Sequence, residues 1–136
     1  MDVFIIELEN RPGMLAGLAE AIADKGINIE AIAAATSSDS GNVALLTNDD
    51  AGTRSVLDGT GVSYRTAAIV DASLDHRPGS LAAAARRLAD AGVNIEALFA
   101  TGMDGSRVTV AIAVDDADAA RSALGDLAKA SAQNQA

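Results

Sequence analysis

The apolar positions of this chain change period in a regular order. Residues 3–8, Val-Phe-Ile-Ile-Glu-Leu, form a short β-branched and apolar run that reads as a strand. Leu15, Leu18, Ala19 and Ile22 then recur at helical spacing, so a helix with one apolar face follows, its leucines and isoleucines in the core. Gly26 stops it where a left-handed C-terminal cap is needed. A second strand, Ile-Asn-Ile-Glu-Ala-Ile-Ala-Ala-Ala-Thr, comes at once, then a Ser/Asp/Gly hairpin and a third strand, Val-Ala-Leu-Leu-Thr. Asp50 opens a second helix, with aspartates where the helix dipole favours them, and a strand around Val-Ser-Tyr-Arg closes the series.

The whole series is then written again. Gly13 recurs as Gly79, an offset of 66 residues (79 − 13), and the same offset carries Arg11-Pro12 onto Arg77-Pro78 and Leu15 onto Leu81. It carries Gly26, Asn28, Ile29, Glu30 and Ala31 onto Gly92, Asn94, Ile95, Glu96 and Ala97, and Asp49-Asp50 onto Asp115-Asp116. A match of this extent is an internal duplication. Residues 1–66 form the first copy, residues 67–129 the second, and residues 130–136 a frayed polar tail. Each copy reads strand, helix, strand, strand, helix, strand. Hairpins and right-handed crossovers fold that order into an α+β, ferredoxin-like βαββαβ unit with both helices on one face of an antiparallel sheet. The second copy departs at its end, because Ala-Lys-Ala-Ser-Ala-Gln-Asn-Gln-Ala has no β-branched residue and supplies no fourth strand. An open sheet edge follows from that, and with it dimerisation through or beside the edge.

Composition narrows the possible functions. Hydrophobic residues make up 49% of 136, enough for a packed core, but only 2% are aromatic. Half of such a chain is marginal alone, so the halves are expected to lean on each other and on a second chain. The net charge of -9, with no basic run, lacks the footprint of a nucleic-acid binder and repels anionic lipid. There is no cysteine, hence no disulfide, thiolate chemistry or Cys-type zinc site. With no leader and no long apolar stretch, the expectation is a soluble, cytoplasmic protein.

Candidate chemistry is sparse. The chain lacks a Gly-x-Ser-x-Gly elbow and a phosphate-binding Gly-x-x-x-x-Gly-Lys loop, and it has one histidine without an evident partner, so an enzyme is not expected and no cofactor is implied. Asp49, Asp50, Asp115 and Asp116 read as capping residues and not as a metal site. The turn before the first helix is more informative. Proline at the first helical position places Pro12, Gly13 and Met14 at a helix N-terminus, where free N–H groups and the dipole favour an anion. Asn10 and His76 share the slot just upstream, and both can donate to a carboxylate. The carbonyl groups of Gly-Ile-Asn and Gly-Val-Asn, at the entrance to the second strand, could accept from an ammonium. A loop for a carboxylate and a strand for an amine describe a free amino acid, although most helix N-termini bind nothing.

The combination (Glu/Asp)-(Asn/His)-Arg-Pro-Gly-x-Leu, amphipathic helix and Gly-(Ile/Val)-Asn-Ile, present twice, resembles the ACT domain, a small-molecule regulatory module of amino-acid biosynthetic enzymes. The resemblance implies units paired side by side in one continuous antiparallel sheet, with a free amino acid bound between the strand-to-helix loop of one unit and the second strand of its neighbour. Carried onto this sequence, it implies a loop of Asn10, Pro12, Gly13, Met14 and Leu15, and a counterpart of His76, Pro78, Gly79, Ser80 and Leu81. Ile27 and Asn28, or Val93 and Asn94, would face the opposing loop. Arg11 and Arg77 point to solvent or pair with a nearby acid. The expected protein is an amino-acid sensor, homodimeric, whose signal is read by another protein. The alternatives are a regulatory subunit docked on a biosynthetic enzyme and a dimerisation scaffold without a ligand. The motif also resembles the start of the acetolactate synthase small subunit, where a different C-terminal domain would replace the second copy.

Overall fold

Alternation in the first residues becomes strand β1 (Asp2–Glu9), which turns Phe4, Ile6 and Leu8 to one side. The computed structural model describes residues 1–129 and divides into two compact units, Met1–Thr66 and the chain from Ala67 onward. In unit 1, β1 is followed by α1 (Met14–Ala23), β2 (Ile29–Ser37), β3 (Ser40–Thr47) and α2 (Asp50–Thr60). Strand β4 (Ser63–Asp75) closes unit 1 with its first residues and opens unit 2 with the rest. Unit 2 continues with α3 (Ser80–Asp90), β5 (Ile95–Asp104), β6 (Arg107–Val114) and α4 (Ala117–Leu124).

Within unit 1 the strands run antiparallel in the order β2-β3-β1, with β4 beside β1. The register sets Phe4 opposite Leu45, Ile6 opposite Val43 and Leu8 opposite Gly41. Those strand residues pack against Leu18 and Ile22 of α1 and Val56 and Leu57 of α2, so both helices cover one face. Unit 2 repeats the arrangement: β4 pairs with β6 and β6 with β5, and Val70, Ala72, Leu74, Val110, Ile112 and Val114 pack under Ala84, Leu88, Ala120 and Leu124. The fold is α+β and twice ferredoxin-like. Gly26 and Gly92 carry φ values of 71° and 73°, the left-handed stops that the sequence predicts.

Four expectations change. Leu15 and Leu81 keep helical spacing but are 45% and 49% exposed, so the first turn of each helix leaves its leucine outside the core. Proline is not the first helical residue: Pro12 and Pro78 lie in turns, and α1 and α3 begin at Met14 and Ser80. The duplication also does not keep one offset. Asp49 caps α2 and Asp116 caps α4, while Asn48 and Asp115 play one shared role, accepting from the N–H of Asn28 and Asn94. The offset is therefore 67 beyond β5 (116 − 49), so Asp49-Asp50 does not correspond to Asp115-Asp116. One added residue, Thr101, is absorbed as a bulge between Ala100 and Gly102, for which β2 has no equivalent. Finally, the end of unit 2 is not wholly unpaired. Among the described residues it has three strands, but Ala128 makes an isolated antiparallel bridge with Ala72, and the Lys129 N–H donates to the Asp71 carbonyl at 2.7 Å. The tail expected over residues 130–136 lies outside the described residues.

Candidate functional site

The repeated Arg-Pro-Gly segment builds a turn. The Met14 N–H reaches the Arg11 carbonyl at 3.4 Å, and Gly13 has φ 89° and ψ -11°. Proline at the second position and a left-handed glycine at the third define a type II turn, which only glycine fills without strain. Arg77, Pro78, Gly79 and Ser80 repeat it, with Gly79 at φ 91°. This turn delivers the chain into α1 and α3 with no side-chain cap, whereas α2 and α4 are capped by Asp49 and Asp116. The Leu15 and Ala16 N–H groups of α1, and those of Leu81 and Ala82 in α3, are thus left for something else to satisfy.

In unit 1 this loop borders a cavity of about 130 Å³. Asn10, Met14 and Leu15 form one wall, Ala34, Ala35 and Thr36 of β2 the other, and Gly41 of β3 lies between them. Pro12 and Gly13 shape the turn that presents the first wall. Asn10 also locks the site to the β2–β3 hairpin: its N–H donates to the Asp39 carbonyl at 2.8 Å and its Nδ2 to the Ser38 carbonyl at 2.9 Å. One of its two side-chain N–H donors is therefore already used. Ser38 itself sits at φ 60°, the place Gly105 takes in the unit 2 hairpin. The nearest charges neutralise each other, since Arg11 Nε lies 2.7 Å from Glu9 Oε2. Arg77 pairs likewise with Asp75 at 3.5 Å.

The remaining expected residues lie elsewhere. Ile27 is buried in the unit 1 core, and the Asn28 N–H donates to Asn48 Oδ1 at 3.0 Å. Both stand past the C-terminal end of α1, while the loop precedes its N-terminal end. That helix has 10 residues, so about 15 Å separates them. The Asn28 carbonyl, a candidate acceptor for an ammonium, already accepts from the Asn48 N–H at 3.2 Å. Unit 2 matches: Val93 is buried, the Asn94 N–H donates to Asp115 Oδ1 at 2.9 Å, and the Asn94 carbonyl accepts from the Asp115 N–H. His76 is exposed, its N–H tied to the Ser106 carbonyl at 2.7 Å, with Pro78 and Gly79 in the turn and Ser80 and Leu81 opening α3. Sequence reasoning missed the second wall, Ala34 to Thr36, and Gly41. A glycine inside a strand is the one signal that marked it.

Among the described residues, no group of three His, Asp or Glu side chains could hold a metal ion, and no helix is long and apolar enough to cross a membrane. Asp71 on β4 is half-buried, and loss of hydration raises its pKa against the smaller opposing pull of Lys129.

An uncapped helix after a Pro-Gly turn, on a ferredoxin-like unit, thus occurs in both copies. Residues 3–58, most of unit 1, match the ACT domain family. No curated protein matches the chain. Among solved structures, protein BT0572 from Bacteroides thetaiotaomicron is similar at 25% identity and a TM-score of 0.75, over 93% of this chain and 91% of that one. The regulatory subunit of aspartate kinase from Thermus thermophilus, in its ligand-free form, superposes with a TM-score of 0.64 at 21% identity, over 93% and 90% of the two chains. That of Thermus flavus gives 0.61 at 22% identity, over 90% and 88%. At these last identities the likeness is one of fold.

Proposed function

We propose that this protein is a non-enzymatic sensor that binds a free amino acid at its ACT units and passes the signal to another protein. One observation carries the reading: the unit 1 cavity lies beside a helix start that no side chain caps, in the loop bearing the repeated motif. First-turn N–H groups and the helix dipole suit a carboxylate there. Ile27 and Asn28 lie too far from this loop in their own unit to serve the same ligand. They take part only if a second ACT unit brings its copies of them to the loop, which is why we place the ligand at an interface between units and read the protein as a homodimer. Binding that favours one arrangement of the units is then the entire signal. A biosynthetic enzyme is the kind of protein that would read it.

The test is thermal unfolding against each of the twenty amino acids. A ligand at a hundredfold its dissociation constant adds about 2.7 kcal/mol, which raises the midpoint by several degrees. Stabilisation by one or two amino acids is the expected result. A flat panel would falsify the sensor and favour a docking or scaffold role.

A further inference from the structure

We infer that the two copies are not equivalent sites: unit 1 alone takes the ligand, a small amino acid, and Gly41 is the residue that keeps its cavity open. This rests on the amino-acid reading above. In unit 1 the cross-strand triplet Leu8, Gly41 and Thr36 lies on the face that the helices cover, as the burial of Leu8 against α1 shows. The cavity occupies that face, under the first turn of α1. A side chain at position 41 would enter it, for a Cβ built there stands 3.3 Å from both the Ala35 carbonyl oxygen and the Thr36 Cγ2.

Because the offset is 67 in this part of the fold, the counterpart of Gly41 is Val108 (41 + 67), not Arg107. The matching triplet in unit 2 is Leu74, Val108 and Met103. Val108 packs against the unit 2 core, so its isopropyl group fills the space that Gly41 leaves free. The wall opposite is also rebuilt, since the bulged Thr101 turns its hydroxyl back to donate to the Thr109 carbonyl at 3.2 Å. The duplication has thus kept the turn and the uncapped helix in both copies but the glycine beside them in one. At about 130 Å³ the unit 1 cavity is well below the roughly 300 Å³ at which general ligand pockets begin. An amino acid with a small side chain fits, and an aromatic one does not.

The experiment is a two-dimensional amide NMR titration of the full chain with glycine, alanine, serine and threonine, with phenylalanine and tryptophan as oversize probes. The expected result is saturable shifts at residues 10–15 and 34–42 with a small amino acid, none at 76–81 and 100–109, and one ligand per chain by calorimetry. Gly41→Val should then weaken binding by about tenfold or more, as a filled pocket must be overpacked to admit ligand. Saturable shifts in both copies, two ligands per chain, or preference for the aromatic probes would overturn this inference while leaving the sensor intact. No saturable shift anywhere with any amino acid would overturn both. If Gly41→Val does not fold, the mapping on the unaltered protein still decides.

Discussion

At the scale of single residues, the two copies reach the same fold with different chemistry. Behind the cap of α2, Thr47 and Thr53 are both fully buried and share a 2.7 Å hydrogen bond between hydroxyls. Thr53 also donates to the Asp49 carbonyl at 2.8 Å, so the pair braces the start of the helix. At the structural offset of 67 their counterparts are Val114 and Ala120, an apolar pair equally buried. A buried hydroxyl that loses its partner keeps its desolvation cost, whereas removing both partners together is nearly neutral. We therefore expect Thr47→Val and Thr53→Ala each to cost about 1–2 kcal/mol. The double variant, which copies unit 2, should cost less than the sum by about 1 kcal/mol. Urea denaturation of the four proteins measures this, and additive costs would reject the coupling. None of it was legible beforehand, because threonine and valine have the same shape and strand propensity and only the wrong partner was visible at an offset of 66.

At the scale of elements, the sequence announced most of what formed. Helix spacing located Leu18 and Ile22, and two glycines marked the helix ends, because these are local signals that tertiary context did not contest. The misread offset has one cause. A single extra residue in Ala-Leu-Phe-Ala-Thr-Gly, where small residues follow one another, leaves the apolar pattern unchanged, so the bulge at Thr101 could not be seen before its partners in β6 were known. The first wall of the cavity was legible as a motif. The second was not, because Ala34 to Thr36 become a wall only through the register of β2 on β3. Strand β4 adds a testable consequence. Asp71 is half-buried and its pKa is raised in the fold, chiefly by lost hydration. A carboxyl whose folded pKa lies above its unfolded value destabilises the fold when ionised, fully above the raised value and not at all below the unfolded one. Asp71→Asn should therefore raise the unfolding midpoint at pH 7, and the gain should fade as pH falls towards 3.8. A gain that persists unchanged into acid would assign the effect to packing and not to charge.

At the scale of the molecule, the remaining question is what covers the outer strands. Within unit 1, β2 pairs on one side with β3 and stands at the edge, and β5 does the same in unit 2. A free edge of mostly small apolar residues is a template for another chain unless charges or proline guard it, and β2 carries one charge, Glu30. Ile32 on β2 is 43% exposed, Leu15 on α1 is 45% exposed, and Met103 on β5 is 64% exposed. Burying such groups favours association, while a net charge of -9 on each copy opposes it. The balance depends on salt, because the screening length falls from about 30 Å at 0.01 M to about 8 Å at 0.15 M. Light scattering should thus give twice the chain mass at physiological salt and a lower average mass at low salt. Ile32→Lys, a charge set on the edge itself, should give monomers under both conditions. The unaltered chain remaining monomeric at 0.15 M salt would remove the dimer, and with it the only route by which Ile27 and Asn28 of a second copy could meet the Asn10–Leu15 loop. A dimer that Ile32→Lys leaves intact would move the interface away from β2 and leave that route to another face. If Ile32→Lys gives a folded monomer that still binds ligand at full strength, the cavity of unit 1 is complete in itself, and the second chain transmits the signal without helping to hold the ligand.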